Sequence, residues 1–134
     1  MYKKVFTLLL LLLPFQLLIA QKSLLKNFPE GYTPDEIGRR ISYRFVTEKH
    51  ALHAGKWIGY PETFYWNGSL KYAAAAKDKA LIKLLQARFE HLFTTEKALL
   101  PIKNHVDLNM FGSLPLELYW VTKDERYKDC LLYT

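Results

Sequence analysis

Leu81, Leu84, Leu85, Phe89, Leu92 and Phe93 recur at intervals that place them on one face of an α-helix, and this stripe is the strongest structural constraint in the chain. Lys79, Lys83, Gln86 and Glu90 are among the positions left for solvent, and Asp78 stands where a capping side chain is wanted. Both charge signs appear on the polar face. The segment therefore reads as a core-facing helix of a globular fold and not as a lipid-binding helix, which would carry a basic band.

Other segments repeat the helical period. Thr33-Pro34-Asp35-Glu36 combines a capping residue, a proline at the first helical position and a glutamate three residues after the cap. Ile37, Ile41 and Phe45 then line one face of a helix that fades near Val46 to Lys49. Residues 50 to 65 hold Gly55, Gly59 and Pro61, fit no period and are expected to form an aromatic-rich loop. From Trp66 the spacing returns through Leu70, Ala73 and Ala74, and the run Ala73 to Ala76 favours helix and permits another helix to come close. Residues 94 to 106 are broken by Pro101 and read as a loop. Phe111, Leu114, Leu118 and Val121 follow at helical spacing, with Pro115 expected to kink the helix or limit its first turn. Thr122-Lys123-Asp124-Glu125 reads as a turn into a last helix carrying Tyr127, Leu131 and Leu132. The expected fold class is all-α, with about five helices and no strand.

The first twenty residues differ from the rest. Lys3 and Lys4 precede the apolar run Val5 to Ile19, which Pro14 and Gln16 interrupt and which ends at Ala20-Gln21. This reads as a secretory signal peptide cleaved after Ala20, with an uncleaved membrane anchor as the alternative; cleavage leaves residues 21–134 as the exported chain, periplasmic or extracellular in a bacterium, without stable membrane association. Residues 21 to 32 carry no period and form a lead-in. A single cysteine makes neither a disulfide scaffold nor a cysteine-based zinc site, and Cys130 reads as a small core residue. The 19 basic residues against 13 acidic ones are scattered, whereas nucleic-acid binding wants a focused patch.

Three blocks carry a resemblance. Tyr60-Pro61-Glu62-Thr63-Phe64-Tyr65-Trp66-Asn67-Gly68-Ser69-Leu70 is followed by a block from Asn104-His105-Val106-Asp107-Leu108-Asn109-Met110-Phe111-Gly112 to Tyr119, and then by Thr122-Lys123-Asp124-Glu125-Arg126-Tyr127. In sequence and spacing they resemble the unsaturated glucuronyl and rhamnogalacturonyl hydrolases, glycoside hydrolase families 88 and 105. The His-Val-Asp-x-Asn-x-Phe-Gly element is the specific part. The resemblance implies an (α/α)6 barrel, in which hairpins alternate between an inner and an outer ring. Twelve helices of about 11 to 12 residues with their loops need on the order of 300 residues. The chain has 134 and stops at Thr134 inside an apolar pattern, so it is expected to be a truncated, N-terminal part of such a barrel.

The resemblance also implies an activity. Enzymes of this kind act after pectin or glycosaminoglycan lyases, hydrating the vinyl ether bond of the 4,5-unsaturated uronic acid at the non-reducing end of the oligosaccharide. A hemiketal forms and opens to release the sugar. An aspartate protonates the double bond and water adds, so no metal or organic cofactor is required. Asp107 matches the family's first active-site aspartate; a second, the usual general acid and base, has no counterpart here. His105, Asn109, Tyr65 and Trp66 match positions around the sugar.

Each of these residues also has a purely structural reading. Asp107 suits a helix cap. His105 can be an ordinary loop histidine, Asn109 can buttress Asp107, and Tyr65 and Trp66 can be core. His50 and His53 have no third ligand near them and do not read as a metal site. Asn67-Gly68-Ser69 fits a glycosylation sequon but lies at the start of an apparent helix, where a chance match is the better reading. Two other functions compete with the hydrolase: a non-catalytic helical module that binds sugars or a partner, and the lyase or epimerase chemistry that related barrels support.

Overall fold

The computed structural model describes residues 26–50, 55–101 and 105–130. The proposed signal peptide, His53, Asn104, Leu131 and Leu132 lie outside them. Two units divide at Thr33 and Pro34. The described part of the first is non-helical and holds a turn closed by the Tyr32 amide donating to the Pro29 carbonyl at 3.0 Å. Gly31 within that turn has φ +80°, where a side chain is disfavoured.

The second unit is all-helical, with no strand among the described residues. Helix α1 spans Pro34–Thr47, α2 Tyr60–Ala75, α3 Lys79–His91, α4 Val106–Phe111, α5 Ser113–Thr122 and α6 Arg126–Cys130, with a short 3-10 turn at Lys97–Leu99. No helix among the described residues is long and apolar enough to cross a membrane. Helix α2 is central and packs against α1, α3, α4 and α5. It starts six residues before the expected point. Gly59 caps it without a side-chain bond, and Pro61 fits the first turn, where the missing N–H costs nothing. The aromatic loop expected over residues 50 to 65 is thus helical at its end.

The stripe on α3 holds, with Leu81, Leu85, Phe89 and Leu92 buried, although Leu84 and Phe93 are exposed. Phe89 is the hub, stacked on Phe111 with ring centres 5.7 Å apart and edge-on to Trp66 and Tyr127. The face of α1 is rotated from the expected one. Phe45 is buried as expected, but Ile41 is exposed and Ser42 is buried in its place. A small residue contributes: a Cβ on Gly38 would stand 2.5 Å from the Tyr72 ring, so α1 approaches α2 closely at Gly38. Gly38→Ala is accordingly expected to lower stability by about 1–3 kcal/mol, although alanine is the better helix former. Chemical denaturation checks it; a neutral or stabilising result would show that Tyr72 yields freely. The alanine run also behaves differently from expectation, because Ala73 is buried while Ala74, Ala75 and Ala76 are exposed.

Caps and breaks follow the local chemistry. Asp78 Oδ1 accepts from the Leu81 amide at 3.0 Å and Oδ2 from the Tyr43 hydroxyl at 3.0 Å. The amide bond chiefly, with help from Tyr43, holds the Asp78 carboxyl below its ordinary range. A depressed carboxylate stabilises the fold above its unfolded value, near pH 4, and that contribution is lost as pH falls through the folded one. Asp78→Ala should remove this part of the acid destabilisation, readable as a shallower fall of the thermal midpoint between about pH 5 and 2. Pro115 is the third residue of α5 and cannot donate toward the end of α4, so the two helices break at Gly112. Lys123, with φ +60°, closes α5, and the predicted turn leads into α6. Cys130 is partly buried, and burial chiefly raises its thiol pKa.

Candidate functional site

Asp107 is the second residue of α4 and is buried. Its Oδ1 accepts from the Tyr60 amide at 2.9 Å, so a side chain 47 positions away supplies the cap that Gly59 cannot. The neighbouring His105 is the N-cap of α4, with its Nδ1 3.2 Å from the Asp107 amide and 3.1 Å from Asp107 Oδ2. As an acceptor, Nδ1 caps α4; in a protonated ring it pairs with the carboxylate. One atom serves only one of these roles at a time, so the proton on His105 sets which bond forms. Tyr60 and Phe64 are exposed, edge-on with ring centres 6.3 Å apart, and Val106 and Asn109 are exposed on the first two turns of α4.

The structure brings Asp107 and His105 together at the start of α2 and leaves Asn109 facing solvent nearby in sequence. It does not bring Tyr65 or Trp66 to them. Trp66 is fully buried, edge-on to Phe45 and Phe89, so it has no open face on which a sugar ring can stack. Because α2 begins at Tyr60, position 66 shares a face with Glu62, Leu70 and Ala73, the face turned to the core. Tyr65 keeps an exposed edge, yet it turns to α1, with its ring edge-on to Phe45 at 4.9 Å and its hydroxyl 3.5 Å from the Ile41 carbonyl. It lines a separate cleft of about 280 Å³ with Phe45, Pro61, Glu62 and Arg88.

Beneath that cleft lies a charged cluster that sequence reasoning did not single out. Glu62, in the first turn of α2, bonds the His50 Nδ1, and Arg88 Nη2 lies 3.1 Å from that nitrogen and 3.5 Å from Glu62 Oε1. Arg88 Nη1 donates to the Glu48 carbonyl at 2.8 Å, and its guanidinium covers the Phe45 ring at 4.5 Å. Burial lowers the pKa of Arg88, and Glu62 opposes that shift. The available signal was the spacing. Position 88 falls on the same stripe as Leu81, Leu85 and Leu92, so an arginine there must enter the core with a partner.

Among the described residues no group of three His, Cys, Asp or Glu side chains is placed to hold a metal ion. Asn67 donates to Ser113 Oγ at 2.8 Å, and Ser69 is buried, so the sequon lies inside a packed helix. No family model, curated protein or solved structure matches the chain.

Proposed function

We propose that this chain is the N-terminal part of an exported glycoside hydrolase with an (α/α)6 barrel, acting by hydration on the 4,5-unsaturated uronic acid at the non-reducing end of lyase-generated pectin or rhamnogalacturonan oligosaccharides. The observation that carries the reading is the placement of Asp107. A buried carboxylate sits where the first turns of α2 and α4 meet, beside a histidine and bonded to the backbone amide of Tyr60. This is the element on which the family resemblance rests. Helices α2 and α5 pack on each other, and α3 keeps one polar face, as an outer helix does. Asp107 and His105 are the site residues, Asn109 a candidate sugar contact, and Tyr65 a contact only through the second cleft.

One observation favours the alternative of a non-catalytic helical module: Asp107 Oδ1 already caps α2. Asp107→Asn separates the two, because the amide oxygen still accepts the Tyr60 N–H while the carboxylate is gone. The hydrolase reading expects a fall in rate of about 100-fold or more in the full-length enzyme, followed as decay of the double-bond ultraviolet absorbance on an unsaturated disaccharide. Full activity in the variant would remove Asp107 from the chemistry. Asp107→Ala should in addition cost about 1 kcal/mol through the lost cap. Saturated substrates in the same assay distinguish lyase or epimerase chemistry.

A further inference from the structure

From the outward side of α2, independently of any enzymatic reading, we infer that the chain pairs with a second copy of itself, the two α2 helices crossing antiparallel over Gly68. Tyr60, Phe64, Gly68, Lys71 and Ala75 follow one another at intervals of four, four, three and four, and so lie along one side of the helix. All five are exposed, Tyr60 to 50% and Phe64 to 57%. The opposite side carries Trp66, Leu70 and Ala73 into the core. A helix with apolar residues on both sides is ordinarily covered on both.

Gly68 singles out this strip. Glycine is among the poorest residues in a helix interior, and the backbone at position 68 is ordinary helix, so no unusual φ calls for it. Packing within the described residues does not call for it either: a Cβ on Gly68 would meet nothing within 4 Å, whereas one on Gly38 would enter the Tyr72 ring. A second helix laid across position 68 supplies the reason, because a missing Cβ lets two backbones come close.

The occupant is a second copy because the strip is complementary to itself. Its N-terminal half holds bulky rings, and its C-terminal half holds Ala75 beside the exposed Ala74 and Ala76. A two-fold axis through Gly68 brings the residues before it against those after it, so Tyr60 meets the partner's Ala75 and Phe64 meets the partner's Lys71. Bulk then faces small side chains, and a cation faces an aromatic ring. Charge permits the contact. Lys71 is the one charged side chain on the strip, and Glu117 of α5 matches it at 3.4 Å, so the two faces do not repel. A strongly charged partner has nothing to recognise there.

One side of one helix is smaller than the roughly 800 Å² that each partner buries in a standard interface, so the pairing is expected to be reversible and concentration-dependent. The test is sedimentation equilibrium of the full chain from low to high micromolar concentration, for the parent and for Gly68→Gln. A monomer–dimer equilibrium is expected in the parent, and one about tenfold or more weaker in Gly68→Gln, whose side chain stands in the crossing. The same substitution should raise the thermal midpoint at low concentration, because glutamine is the better helix former and meets open space, which separates loss of pairing from loss of fold. In a Cys130→Ser background, Gly68→Cys should give a disulfide-linked dimer under mild oxidation, since the axis sets position 68 opposite itself. A parent chain monomeric throughout, an association that Gly68→Gln leaves unchanged, or no cross-link at position 68 would overturn the inference.

Discussion

Arg88→Met is expected to lower the unfolding free energy by about 3–5 kcal/mol, the range for breaking a buried pair by removing one partner. The loss has three identifiable parts. Glu62 would stay buried without its guanidinium, the Glu48 carbonyl would lose its donor, and the Phe45 ring would lose the cation that covers it at 4.5 Å. Set against a typical stability of about 5–15 kcal/mol, that is a large share, so poor recovery of folded protein is part of the expectation. The double variant Glu62→Leu/Arg88→Met should recover most of the loss, since apolar side chains of similar volume replace a buried ion pair at little cost. Urea unfolding of the parent, the two single variants and the double gives the coupling directly. Purely additive losses would mean that Arg88 and Glu62 are not energetically joined.

Trp66→Ala should cost about 3–5 kcal/mol, whereas Tyr65→Ala, one position earlier, should cost far less. Trp66 is fully enclosed by Phe45, Phe89 and the helices that carry them, and its truncation leaves a cavity that three helices would have to collapse to fill. Tyr65 loses an edge contact and a long hydroxyl contact at 3.5 Å, both at the surface. Trp66→Phe should fall well short of the alanine cost, because it keeps most of the packing and removes a buried indole N–H that has no partner among the described residues. The midpoints and slopes of denaturant curves decide it. Equal losses at positions 65 and 66 would contradict the orientation of α2.

Much of the helical organisation was legible because it depends on neighbours three and four positions apart. The α3 stripe, the Asp78 cap, the limiting effect of Pro115 and the turn before α6 are local, and each is present. The start of α2 was not legible. Gly59 and a run of aromatics dilute the period, and the side chain that bonds the Tyr60 amide comes from Asp107 on α4, 47 positions away. The face of α1 was misread for a related reason. Hydrophobicity favours Ile41, but α1 meets the Tyr72 ring at Gly38, where a Cβ would not fit, and Ser42 is buried while Ile41 is exposed.

For the site, the sequence by itself determined that Asp107 and His105 lie two residues apart at the head of a helix. Capping preference and their spacing are properties of adjacent positions. The tertiary structure alone decided that Asp107 reaches the first amide of α2, that Tyr65 and Trp66 face different neighbours, and that His50, Glu62 and Arg88 share one buried pocket. Those relations join positions 12 to 47 residues apart. They depend on how helices cross, and a helix's crossing is settled by the packing of faces contributed by several elements at once, which no local pattern records.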